Sequence, residues 1–213
     1  MTLRVDPAEL EFAALLSSKI CHDVINPVGA IRNGLEILDE DKDGDSQKYA
    51  LDMIRNVTQQ ATAKLQFARF AYGAAGSAGA TLDIGMAEQV ARGFVGTGKH
   101  TMQWTGPHGV MVKDKVKLLL NLVAIAVTAL PRGGDIAVAI SGGIDQPSFA
   151  LRCRGTGARP PLHLADLVAG SPPPLDSMTI QAHHAWRLAQ SSDMAIDIVK
   201  DEADIILVAR PRG

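Results

Sequence analysis

Cysteine is nearly absent from the chain: Cys21 and Cys153 stand far apart and form no Cys-x-x-Cys pair. That spacing excludes a disulfide framework and a zinc ribbon, and it points to reduced thiols in a cytoplasmic protein. Aromatic residues are scarce at 4 %, and the abundant alanine in their place suits closely packed helices. A net charge of −2 gives no positive excess, so a general nucleic-acid binder is not expected. The apolar run "LLLNLVAIAV" (Leu118–Val127) is too short to cross a bilayer. The opening "MTLRVDPAEL" has neither the apolar core nor the cleavage site of a signal peptide, so no membrane attachment is expected either. What remains is 213 residues with 46 % hydrophobic content, enough for one large core or two smaller ones.

The first third reads as two helices. Asp6-Pro7 is a start signal, Asp as N-cap and Pro at the first helical position, and no turn cluster follows until about Leu38. "DEDKDGDS" (Asp39–Ser46) is a polar turn, with Ser46 as the expected cap of a second helix. That helix carries Ala50, Ile54, Val57, Ala61, Leu65, Ala68 and Tyr72 on one stripe. "GAAGSAGA" (Gly73–Ala80) is rich in glycine and without periodicity, and reads as a linker. Two domains follow from this, residues 1–75 and 80–213.

Beyond the linker the pattern turns to mixed α and β. "IGMAEQVARGFV" reads as a helix, and "HTMQW" and "HGVMV" as short strands around the turn Thr105-Gly106-Pro107. "KDKVKLLLNLVAIAVTAL" is a buried helix ended by Pro131 and Gly133-Gly134. "DIAVAIS" and "SFALRCR" are strands joined by a glycine turn, "PPLHLADLVAG" and "MTIQAHHAWRLAQSS" are helices, and "MAIDIVKDEADIILVARP" closes as a hairpin. One sheet layer and one helix layer make an α/β sandwich, so the fold class is α plus α/β.

On a wheel of 100° per residue, Leu16, Ile20, Val24, Val28, Ile31, Leu35 and Leu38 form a single apolar stripe, and His22 falls opposite it. Ser18, Asn26, Gly29 and Asn33 flank the histidine, so burial does not explain its presence. A two-helix hairpin covers its apolar seam best by pairing with a second copy, which predicts a homodimeric four-helix bundle with His22 facing outward. Pro27 then stands inside the helix, where proline costs roughly 3 kcal/mol and frees the carbonyl of Asp23. Gly29 adds about 1 kcal/mol against helix. Such local contradictions tend to mark functional sites.

"CHDVINPVGAI" resembles the phospho-acceptor box of histidine kinases: a histidine, an adjacent acidic residue, a polar residue four positions on, then proline. Those residues are His22, Asp23, Asn26 and Pro27. The resemblance implies that His22 is the nucleophile that becomes phosphorylated, with the turn weakened by Pro27 leaving room for a phosphate or a partner domain. Neutral imidazole is a competent nucleophile near pH 7, and its phosphoramidate can pass the group onward. Asp23 would accept or orient a ring proton, and Asn26, one turn on, would position the phosphate or a water.

The C-terminal half resembles that family's ATP-binding domain, a GHKL-type sandwich, with its nucleotide site degraded. "LLLNLVAIAVTALPRGGDIAVAI" keeps Asn121-Leu122, Ala126 and Gly133-Gly134, but Ile125 stands where the magnesium-binding asparagine belongs and Thr128 where the lysine belongs. Isoleucine offers no oxygen to a hard cation. In "ALRCRGTGARP" Gly155 and Gly157 survive, but Cys153 replaces the aspartate that meets the adenine amino group. The lid region "SPPPLDSMTIQAHHAW" has three prolines, which bring no N–H donors, and no Gly-x-Gly. His183 and His184 point to different helix faces and are expected at the surface, not on a metal; Arg152, Arg154 and Arg159 are assigned nothing.

An acceptor histidine without an ATP site implies a phosphoryl group that arrives from one protein and leaves to another. The chain thus looks like the ChpT-type histidine phosphotransferases, which resemble a histidine kinase with a degenerate catalytic domain. The resemblance implies transfer to His22 from the receiver aspartate of a hybrid histidine kinase, then to response-regulator receivers, with Mg²⁺ carried by the receiver and none by this chain. Ser18, Lys19, Cys21, Ile25, Gly29 and Arg32 are the expected receiver contacts. Two rivals stand beside this reading: a divergent active histidine kinase, and a non-enzymatic pseudokinase scaffold for response regulators.

Overall fold

The computed structural model describes residues 6–40, 43–73 and 80–213. Most of the expected linker, and two residues of the polar turn, lie outside the described residues.

The two long helices are present as α1 (Pro7–Glu40) and α2 (Gly44–Ala71), packed along each other. Asp6 begins α1 as expected, its Oδ1 accepting from the Ala8 N–H at 3.0 Å. The cap of α2 is Asp43, not Ser46: the Asp43 carboxylate accepts from the N–H groups of Asp45 and Ser46. A charged acceptor placed before Gly44 meets the free N–H groups of the first turn, and the positive helix end favours it over a hydroxyl. Nor does Pro27 break α1. The helix runs unbroken through it and the proline is buried, on the side of the wheel shared with Gly34. A Cβ at Gly34 would come within 2.6 Å of Ile54 Cγ1, so this glycine lets the two helices close.

The expected stripe of α1 divides between two surroundings. Leu16, Ile20, Val24, Ile31 and Leu38 are half-buried, while Val28 and Leu35 remain about half exposed. On α2 the expected Leu65 is also half exposed, and Phe67 and Ala71 are buried instead. The end of α2 is covered by α3 (Ile84–Val95) and α4 (Lys113–Ala129) as well as by α1, which turns a second face of it inward. Phe67 stacks on Phe94 of α3 with ring centroids 4.0 Å apart.

The remaining elements are β1 (Thr81–Asp83), β2 (His100–Thr105), β3 (Val110–Val112), β4 (Gly134–Gly142), β5 (Pro147–Arg154), α5 (Leu162–Val168), α6 (Ile180–Ser191), β6 (Met194–Asp201) and β7 (Asp204–Pro211). Five strands form one sheet in the order β2-β4-β5-β7-β6, with β2 parallel to β4 and the other pairs antiparallel. Alternate residues point to the helices: Ile136, Val138 and Ile140 of β4, Phe149, Leu151 and Cys153 of β5, and Ile205, Leu207 and Ala209 of β7 are all buried. α4 is buried almost all round, between the sheet and α2, α3 and α6.

The two short strands expected around Thr105-Gly106-Pro107 are both present, but in different sheets. β2 and β3 do not pair across Thr105-Gly106-Pro107; β3 pairs instead with β1, in register Leu82 with Met111. β1 is three residues long, too short for an alternation signal, and its last residue is already the cap of α3, Asp83 accepting from the Met86 N–H at 2.7 Å.

Candidate active site

His22 stands on the uncovered side of α1 with its side chain 77 % exposed. The helical spacing of three and four residues gathers its neighbours. Asp23 Oδ1 lies 3.6 Å from His22 Nδ1, and Asp23 Oδ2 accepts from the Lys19 ammonium at 2.8 Å. The carboxylate is therefore held from one side by a cation and faces the imidazole with its other oxygen. Nδ1 has the carboxylate beside it, and Nε2 is the ring nitrogen left for an incoming electrophile.

This side of α1 opens into a cleft of about 920 Å³ between the helical hairpin and the α/β part. Ser18, Lys19, His22 and Asp23 are part of its α1 wall; Lys64 comes from α2 and Tyr72 from its C-cap, and Thr128, Met178 and Gln181 from the opposite side. Of the other expected residues, Asn26 is exposed one turn beyond His22, and Cys21 and Ile25 are exposed outside the cleft. Gly29 has open space where a Cβ would be, and Arg32 is exposed with Glu36 at 3.4 Å. Lys64 is a residue that sequence reasoning missed. The close approach of Gly34 to Ile54 sets the pairing of the antiparallel helices, and counting equally along both from there brings Lys64–Gln66 level with His22.

The expected nucleotide-site residues are engaged in packing. Asn121 is fully buried; its Nδ2 donates to the carbonyls of Lys117 (2.8 Å) and Ala71 (3.2 Å), and its Oδ1 accepts from Gln181. Gln181 in turn accepts from the Tyr72 hydroxyl, whose pKa is pushed up by burial and then by Asp23. Ile125 lies in the core, and Thr128 donates to the Ile125 carbonyl at 2.7 Å. Burial first, and then Asp204, push the Cys153 thiol up to about 12, so it stays protonated at neutral pH. A buried isoleucine, a neutral thiol and a fully committed asparagine do not fit a magnesium nucleotide. Packing requires glycine at Gly155: a Cβ there would lie 2.5 Å from the Gly133 carbonyl oxygen. Gly157 has φ +75°, a turn conformation that favours glycine.

The paired histidines depart from expectation. His184 is half-buried: its ring lies between Phe12 (5.8 Å) and Tyr72 (5.6 Å), and burial lowers its pKa. Phe12 reaches α6 from the far end of the sequence, so adjacency on the helix gave no sign of this cover. His183 Nε2 meets the Pro173 carbonyl at 3.0 Å. Arg152 and Arg154 are engaged by carboxylates, both at 2.9 Å from Asp204.

A family model described as "Histidine phosphotransferase C-terminal domain" matches residues 84–204. The chain is 41 % identical over 211 residues to "Protein phosphotransferase ChpT" of Brucella abortus (strain 2308), covering 98 % of this chain and all of that protein. A solved structure described as a 1.7 Å structure of a bacterial phosphotransferase superposes with a TM-score of 0.89 at 38 % identity, over 98 % of this chain and all of that one. Among the described residues no helix is long and apolar enough to cross a membrane. With a family model over more than half of its length and a 41 % identical relative over 98 % of it, the chain belongs to the ChpT-type histidine phosphotransferases.

Proposed function

We propose that His22 is the phosphorylated residue of a phosphorelay. It accepts a phosphoryl group from the receiver aspartate of a hybrid histidine kinase and returns it to response-regulator receivers, in the cytoplasm and without ATP. The observation that carries this is the exposed His22 ring, with Asp23 at Nδ1 and Nε2 free beside a cleft large enough for an inserted loop of a partner. The Nε2 lone pair forms the N–P bond as the P–O bond to the receiver aspartate breaks and returns its electrons to that carboxylate. The ring becomes cationic, and the Asp23 carboxylate stabilises it across Nδ1–H more in the transition state than before it. Asn26 orients the phosphoryl oxygens or a water, and the receiver's Mg²⁺ supplies the remaining charge neutralisation.

The chain acts as a homodimer on this reading. Val28 and Leu35 lie one heptad apart and Leu51 and Leu65 two, all about half exposed, the pattern of a bundle seam that a second hairpin covers. Receivers dock on the surface carrying Ser18, Cys21, Ile25, Gly29 and Arg32, beside the cleft. The test has two arms. Labelled ATP alone is expected to leave the protein unlabelled, and a labelled phospho-receiver is expected to label it. Labelling from ATP alone would overturn the proposal in favour of an active kinase.

A further inference from the structure

The cation on Asp23 has a role that docking does not account for. Lys19 is four residues before Asp23 on the same face of α1, its side chain is only 24 % exposed, and its ammonium lies 2.8 Å from Oδ2. Arg32, by comparison, is 77 % exposed, and its ion pair with Glu36 at 3.4 Å lies out in solvent. Lys19 is spent inside the chain: it holds one oxygen of the carboxylate whose other oxygen faces His22 Nδ1 at 3.6 Å. That separation is just beyond hydrogen-bond reach, so a small rotation of a restrained carboxylate closes it, whereas an unrestrained one has many rotamers facing water. An unpaired carboxylate would also repel an incoming phosphoryl group, and the adjacent ammonium offsets that repulsion.

We infer that Lys19 is a positioning residue for phosphoryl transfer: it acts through Asp23 to orient the His22 ring with Nδ1 toward the carboxylate and Nε2 toward the phosphorus. The inference rests on the reading of His22 as the acceptor. It removes Lys19 from the set of receiver contacts and places it in the chemistry of the chain itself. Its effect is that of one partly exposed ion pair, about fivefold in rate.

A donor without a protein surface separates the two roles. Phosphoramidate transfers its phosphoryl group with the P–N bond breaking, ammonia leaving and the bond to Nε2 forming, and it makes no docking contact. The rate of His22 phosphorylation by phosphoramidate is expected to fall about fivefold in Lys19→Met and to return in Lys19→Arg, which restores the cation. Nitrogen NMR of the unphosphorylated protein is expected to show the Nδ1–H tautomer of His22 depleted in Lys19→Met and restored in Lys19→Arg. Normal phosphoramidate rates in Lys19→Met, with loss confined to the phospho-receiver, would make Lys19 a docking residue and overturn the inference. Wild-type protein that takes phosphate from phosphoramidate but never from any receiver would sink the relay reading and leave the positioning role standing.

Discussion

Asn121 Nδ2 donates to the Ala71 carbonyl at 3.2 Å, so this asparagine ties α4 to the end of α2. With Gln181 and Tyr72 it forms a chain of buried hydrogen bonds joining the helical hairpin to α4 and α6. A buried amide with every partner satisfied is stabilising only as a whole, since removing one member strands the others.

Asn121→Leu is therefore expected to lower stability by about 1–3 kcal/mol, through stranding Gln181 and the Ala71 carbonyl. Urea unfolding checks it. An unchanged midpoint would mean that the network holds nothing.

Placing an aspartate at Cys153 is not expected to confer nucleotide binding, because Ile125 offers no magnesium ligand. It would bury a carboxylate near Asp204, with its folded pKa raised above the unfolded value. A group raised in this way costs least below the ordinary carboxylate pKa and most once pH climbs past its folded one. Cys153→Asp is thus expected to be close to wild type near pH 4 and destabilised by about 3 kcal/mol or more at pH 7. Urea midpoints at the two pH values, with calorimetry against Mg-ATP, test both halves.

Two glycines of α1 are expected to respond in opposite directions. Gly34→Val drives side-chain atoms into Ile54 and is expected to cost about 1–3 kcal/mol. Gly29→Ala enters open space and is expected to gain up to about 1 kcal/mol through helix propensity. Thermal unfolding of the pair decides it; equal shifts of one sign would remove the close approach of α1 and α2 as the reason for Gly34.

Arg154, and then Arg152, hold the Asp204 carboxyl below its ordinary value of 3.8. A depressed folded pKa contributes stability that is present above the ordinary value and lost as pH falls through the folded one. Asp204→Asn is expected to separate from wild type at neutral pH and to converge with it in acid below about pH 4. Urea midpoints across that range show it; a constant gap would place the effect outside the ion pairs.

Much of this molecule is legible in its sequence because breakers and caps bound its elements. Asp6-Pro7 opens α1, Gly133-Gly134 separates α4 from β4, and the alternation of β5 and β7 gives their buried faces directly. The acceptor box is local, so His22 and Asp23 could be named together. What depends on packing between distant segments was hidden. Asp43 and Ser46 are both acceptors at one turn, and only backbone geometry chooses between them. The cover of His184 by Phe12 arises from how the hairpin lies on the sandwich, and the meeting of Lys64 with the His22 cleft from how its two helices pair. The pairing of β1 with β3 leaves no pattern in three residues.

On the proposed reading His22 carries the phosphoryl group between proteins. Mixing the purified chain with a phosphorylated receiver domain tests it most directly. Acid-labile, base-stable label is expected on the wild-type chain, mapped to His22 by mass spectrometry, and none on His22→Gln. Label retained by His22→Gln, or found at another residue, would contradict it.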